Sequence, residues 1–209
     1  MRAVSRFFFI LLLVAPGVLF AQEPQKSDSL ATKENVERKI EHLKFKGIAL
    51  DGSPEAFLFS LKSKGFRIVD GAQKTYTAVG EFAGVDNALV SVIAKDFFVW
   101  KVSVAFPHKN SWPFVREQYE RFKGFYSEKY SVTPKCEEKL SSRYRDGSGN
   151  EQWGFESGES KWRSFFKLPE GTIILSVVYD NRAEKLRVVI DYIDQINYLL
   201  KQQYELEDL

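Results

Sequence analysis

The chain has 209 residues, with 30 lysines and arginines against 28 aspartates and glutamates, two histidines and a single cysteine. Arg2 and Arg6 belong to a leader-like segment, so beyond it the charges balance at 28 against 28, and the basic surplus of a nucleic-acid or anionic-membrane binder is missing. One cysteine excludes an internal disulfide, so the fold must rest on its core, for which 44% hydrophobic residues at this length suffice.

Residues 1–21 read as a cleaved secretory signal peptide. Arg2 and Arg6 supply the positive start, Phe7 to Phe20 the apolar stretch broken only by Pro16 and Gly17, and Ala21 before polar Gln22 the processing point. An uncleaved anchor is the competing reading, but the apolar run falls short of the roughly 20 residues a spanning helix needs. Cys136 lies far from the processing point, so no lipid-bearing cysteine stands there, and the expected product is free in the periplasm or outside the cell. A buried structural role is expected for this thiol. Residues 22–44 are polar and charged and read as a tether, turning helical after Thr32.

Structure is expected to begin at Leu43, with Phe45 and the run Ile48 to Leu50 as a short strand ended by Asp51-Gly52. Ser53, Pro54 and Glu55 give a sharp helix start, Phe57, Leu58 and Leu61 its buried side, and Gly65 its stop. After Phe66 the apolar period changes to two: Tyr76, Ala78, Gly80 and Phe82 share one face of a strand, and two further strands follow. In the last of these Phe98, Trp100, Val102, Val104 and Phe106 alternate with Lys101, Ser103 and Ala105, after a turn at Lys95-Asp96.

Asn110, Ser111 and Pro113 then open a second helix, whose Trp112, Val115, Tyr119, Phe122, Tyr126 and Tyr130 recur three or four apart. Strands are expected around Trp153 and Phe155, over Arg163 to Leu168, Ile173 to Tyr179 and Leu186 to Tyr192. A C-terminal helical tail follows over 196–209. The pattern thus predicts an α+β fold of two similar units, 45–109 and 110–195, each one helix packed on an antiparallel β-meander.

The stretches His42-Leu43-Lys44-Phe45-Lys46-Gly47-Ile48-Ala49-Leu50-Asp51-Gly52-Ser53, Gly80-Glu81-Phe82-Ala83-Gly84 and Val104-Ala105-Phe106-Pro107 resemble a family of small exported proteins of Gram-negative gut bacteria. That family brings no activity with it. In topology alone, the doubled helix-and-meander order is similar to the tandem units of secreted β-lactamase inhibitor proteins.

Few residues carry chemistry. Zinc draws on cysteine and histidine, and His42, His108 and Cys136 have no ligand spacing; no metal and no cofactor is expected. Asp146 to Glu151 comes nearest to a calcium loop but lacks its third acid, and Gly147 and Gly149 do not open a helix as a phosphate loop requires. Nucleophilic catalysis needs a base beside a hydroxyl or thiol; His108, in a polar strand-to-helix loop, is the weak candidate base. Glu156, Glu159, Glu170 and Asp180 could pair as glycosidase carboxylates, but no spacing singles them out. Three aromatics stand apart from the core pattern: Phe97 at a turn, and Trp162 and Phe165 on opposite sides of one strand. Where these stay exposed they form a candidate binding patch. The sequence therefore points to an exported, soluble, non-enzymatic module binding a protein, peptide or envelope component, with a small secreted hydrolase as the alternative.

Overall fold

The computed structural model describes residues 41–72 and 75–207; the leader and the tether as far as residue 40 lie outside the described residues. All the described residues belong to one compact unit, Arg38–Leu209. The chain enters through a small hairpin, β1 (Lys44–Phe45) and β2 (Ile48–Ala49), paired antiparallel across a two-residue turn. Helix α1 (Pro54–Ser63) starts where its cap demands: Ser53 accepts the Ala56 N–H at 3.3 Å, and Phe57 and Leu61 point inward.

Four strands follow, β3 (Arg67–Ala72), β4 (Thr75–Phe82), β5 (Val85–Lys95) and β6 (Phe98–Ala105). Next come α2 (Trp112–Tyr130), β7 (Lys135–Lys139), α3 (Glu151–Glu156), β8 (Lys161–Leu168), β9 (Gly171–Asp180), β10 (Lys185–Asp194) and α4 (Gln195–Glu207). The fold is α+β; the described residues form four helices and, besides the β1–β2 hairpin, an antiparallel sheet of eight strands in the order β3-β4-β5-β6-β10-β9-β8-β7. No described helix is long and apolar enough to cross a membrane.

Strand β10 sets the two faces. Leu186, Val188, Ile190 and Tyr192 are buried on one side, while Arg187, Val189, Asp191 and Ile193 alternate with them on the other. The core lies on the first side, under α2. There Phe122 stacks on Phe106 at 4.5 Å, Trp112 meets Trp162 edge-on at 5.1 Å, and Phe45 of the entry hairpin packs on Phe82 and Tyr192. Each large side chain so buried stabilises the fold by about 1.5–3 kcal/mol, so the α2 seam holds the sheet together.

A polar knot ties the lower end of β10. The fully buried Asp194 carboxylate accepts the Leu43 N–H (2.7 Å) and the Asn197 N–H (2.8 Å), and pairs with His42 Nδ1 (3.1 Å). Asn197 in turn donates to the carbonyls of Leu50 and Val99. Chain entry, β6 and the start of α4 are thereby fixed to one point.

The sequence expectations need four corrections. A further strand, β3, precedes the three expected between α1 and α2; its alternation is broken by a bulge between Ile68 and Asp70 that leaves Val69 unpaired and exposed. The segment around Trp153 and Phe155 is helix α3, not a strand, so the loop with Gly147 and Gly149 does run into a helix, contrary to expectation, though one of only six residues. A Cβ on Gly154 would come within 2.3 Å of Ser160 Oγ, so only glycine lets that turn lie against Ser160 and Ser141, with Phe155 packed on Trp112. Strand β7 was not expected, and it leaves Cys136 exposed at the sheet edge instead of buried, with Sγ 3.4 Å from Ser164 Oγ. Finally, a bulge at Trp100 shifts the register of β6, so that Val99 is buried while Phe98 and Trp100 are only half-buried.

Candidate binding surface

The helices α1, α2 and α3 bury residues of one sheet face; the opposite face carries the other parity of every strand. Across the middle of that face Leu89, Ala105 and Val189 stand opposite one another on β5, β6 and β10, with Ser176 next on β9. A parallel row runs Ser91, Ser103, Asp191, Ile174 and Phe165. Most of these side chains are half-buried, as a sheet surface that the described residues do not cover leaves them. Among the described residues α4 alone approaches, from the lower end, its Tyr198 and Tyr204 against Trp100 and Phe98.

Charged groups are set among these apolar ones. Lys101 pairs with Asp191 across the β6–β10 seam at 3.0 Å, and Arg187 pairs with Asp180 at 2.9 Å. Neither pairing uses all the available atoms. Arg187 Nε and Asp191 Oδ1 are both buried and have no hydrogen-bond partner among the described residues. A buried polar atom left so costs about 1–3 kcal/mol, and the two flank Val189 on the central strand.

The aromatic candidates divide. Phe97, at the tip of the β5–β6 hairpin, is 84% exposed, and Phe165 lies half-buried in the face opposite α2. Trp162 drops out of the surface: only 9% exposed, it faces the helices between Trp112 and Tyr119, with the Arg116 guanidinium 5.5 Å from its ring centre. Its strand parity puts it on the side that α2 covers.

His108 does have a partner, but not a nucleophile. Its Nε2 lies 3.0 Å from Asp180, and the Asp180 carboxyl is held below its ordinary range by that hydrogen bond first, against the effect of burial, with the Arg182 N–H and the Arg187 charge assisting. No hydroxyl or thiol is hydrogen-bonded to His108 among the described residues, and Cys136 is engaged elsewhere, with Ser164. Both oxygens of Asp146 are taken up as well, by Trp112 Nε1 at 2.8 Å and Arg116 at 2.6 Å, so this loop acid fastens the start of α2. Glu159 accepts from Ser141.

No family model, curated protein or solved structure matches the chain. The chemistry of the surface must be read from its own side chains. Lys101, Arg187 and Asp191 were missed in the sequence, although the period-two pattern of β10 marks Arg187 and Asp191 as facing away from the core. What the pattern lacks is the pairing of β10 with β6, which carries them to the sheet centre.

Proposed function

We propose that this chain is an exported, soluble, non-enzymatic binding protein of the cell envelope that holds a protein or peptide on the face of its sheet opposite α2. The observation that carries the reading is the row of half-buried apolar side chains Leu89, Val189, Ile174 and Phe165, set among the Lys101–Asp191 and Arg187–Asp180 pairs. Interfaces draw most of their energy from a few arginine and aromatic anchors ringed by apolar contacts, and this face sets Arg187 and Phe165 among such apolar neighbours. Phe97 at the hairpin tip adds an exposed aromatic beyond the rim.

The export half of the proposal rests on the leader pattern from Arg2 to Ala21. The two-unit organisation is supported by element order: α1 precedes β3–β6, α2 precedes β7–β10, and the two sets of strands meet at β6 and β10. A likeness to tandem β-lactamase inhibitor proteins would be one of topology alone, from which no function transfers.

The test is cross-linking capture from a native envelope fraction, using the protein beginning at Gln22 and variants Arg187→Ala, Asp191→Ala and, on α1, Phe59→Ala. A partner captured by the wild type and by Phe59→Ala but lost from the two sheet variants supports the reading. Equal capture by all four, or turnover of a substrate panel that disappears in His108→Ala, sinks it.

A further inference from the structure

On the helix-bearing side, the turns of the β1–β2 and β4–β5 hairpins and the C-terminal half of α2 converge around a cavity of about 260 Å³. Its walls include Phe82 and Phe122, and its deepest residues are Tyr126 and Tyr192, 5% and 3% exposed. Lys46 and Lys129 stand exposed at the rim.

Two observations there are unexplained by folding alone. The Tyr126 and Tyr192 hydroxyls are hydrogen-bonded to each other. Two hydroxyls hold two protons, one hydrogen bond uses one of them, and the second proton has no acceptor among the described residues. Burial pushes both phenols well above their ordinary range, so both protons are present at neutral pH. A buried donor without an acceptor is a defect unless something else fills it.

The second observation is charge. Neither rim lysine has a carboxylate partner among the described residues: Lys46 Nζ donates to the Glu81 carbonyl at 3.2 Å and lies over the Phe66 ring, and Lys129 lies over Tyr130. An aromatic box thus combines an unused buried hydroxyl proton with two uncompensated cations. Such a site is complementary to an anion that carries an apolar body, since the box rewards the body and the donors the charge. The volume lies just below the ~300–1,000 Å³ of common ligand sites, so the body is of single- or fused-ring size.

We propose that this cavity binds a small aromatic carboxylate, its ring against Phe82 and Phe122 and its carboxylate accepting the free tyrosyl proton while drawing in Lys46 and Lys129. The site is separate from the sheet face and does not depend on it.

Calorimetric titration with 1-naphthoate tests the proposal, with 1-naphthalenemethanol as the uncharged analogue and inorganic phosphate as the anion without a ring. Naphthoate is expected to bind saturably, the alcohol about tenfold or more weaker, and phosphate not to compete. Lys46→Met with Lys129→Met should weaken naphthoate about tenfold. The tyrosines give a sharper signature: Tyr126→Phe or Tyr192→Phe alone leaves one hydroxyl with its proton free, so each single variant binds, whereas the double variant loses the donor and weakens by about tenfold. Circular dichroism melts confirm that each variant is folded, and Arg187→Ala on the opposite face leaves naphthoate affinity unchanged. Absence of naphthoate binding, equal affinity for acid and alcohol, competition by phosphate, or a double lysine variant that binds like the wild type would overturn the proposal.

Discussion

Replacing Asp194 by alanine removes the acceptor on which three donors converge. The Leu43 N–H, the Asn197 N–H and the His42 ring all point at two oxygens that have no exposure to solvent. Each buried N–H left without a partner costs about 1–3 kcal/mol, so the two backbone donors alone set a loss of about 2–6 kcal/mol. In a domain of this size, 1 kcal/mol moves the melting temperature by about 2–4 °C, and the midpoint of that range predicts a fall of about 8–16 °C. Asp194→Asn keeps the shape but offers one carbonyl oxygen to donors that needed two, with an NH₂ facing at least one of them. It should therefore lie well below the wild type despite leaving no cavity. Urea denaturation followed by tryptophan fluorescence measures both variants. A loss under about 1 kcal/mol for Asp194→Ala would refute the view that this knot anchors β1, β10 and α4 together.

Three further perturbations follow from the structure. At Gly80 an added Cβ would sit 2.6 Å from the Phe66 ring, so Gly80→Ala should cost about 1–3 kcal/mol by denaturant titration, with the loss reduced in a Phe66→Leu background; an unchanged loss there would show that the ring is not the cause. Burial pushes the Glu138 carboxyl upward, but hydrogen bonds from Lys123 and Tyr119 and the lysine charge hold it below its ordinary range overall. A depressed carboxylate contributes stability above its unfolded pKa of about 4.3 and loses it as pH falls through the lower folded value. Lys123→Met should flatten the acid limb of the denaturation midpoint between about pH 5 and 2, and an unaltered limb would contradict the pairing. Tyr119, Tyr126 and Tyr192 are all pushed up, chiefly by burial, so their protonated forms favour the fold and stability declines as pH rises above about 10. Phenolate absorbance in the folded protein should accordingly lack three of the nine tyrosines until alkaline unfolding releases them together.

Local rules made the elements with strong local signals legible. Ser53-Pro54-Glu55 marks α1, the Trp112 to Tyr126 stripe marks α2, and strict alternation marks β10, because each depends on residues within a turn or two of chain. The elements that were missed owe their form to distant partners. Lys135–Lys139 has no apolar alternation and is a strand only because β8 supplies a neighbour. Trp153 and Phe155, two apart, mimic a strand, yet six residues coil into a helix where Trp112 and Ser160 shape the space. The same division holds for function. Phe97 was readable from its turn, and the opposite orientation of Trp162 and Phe165 from their spacing, but which of them meets solvent is decided by where α2 lies. The aromatic cavity was not readable at all, because Lys46, Phe82, Tyr126 and Tyr192 come from four separate elements.

The seam between β6 and β10 also governs the order in which the molecule can assemble. Residues 98–105 cannot acquire their second neighbour until residues 185–194 are available, so nearly half the chain must be held before the sheet closes. Contacts of such sequence separation form late and slowly. Until then strands β6 and β9 each carry an open edge where the finished sheet has none, and open edges of this kind pair readily with other copies. A chain stopped short of Lys185 is thus not a smaller version of the fold but a pair of meanders with two extra adhesive rims, which makes the last strand the guard against self-association.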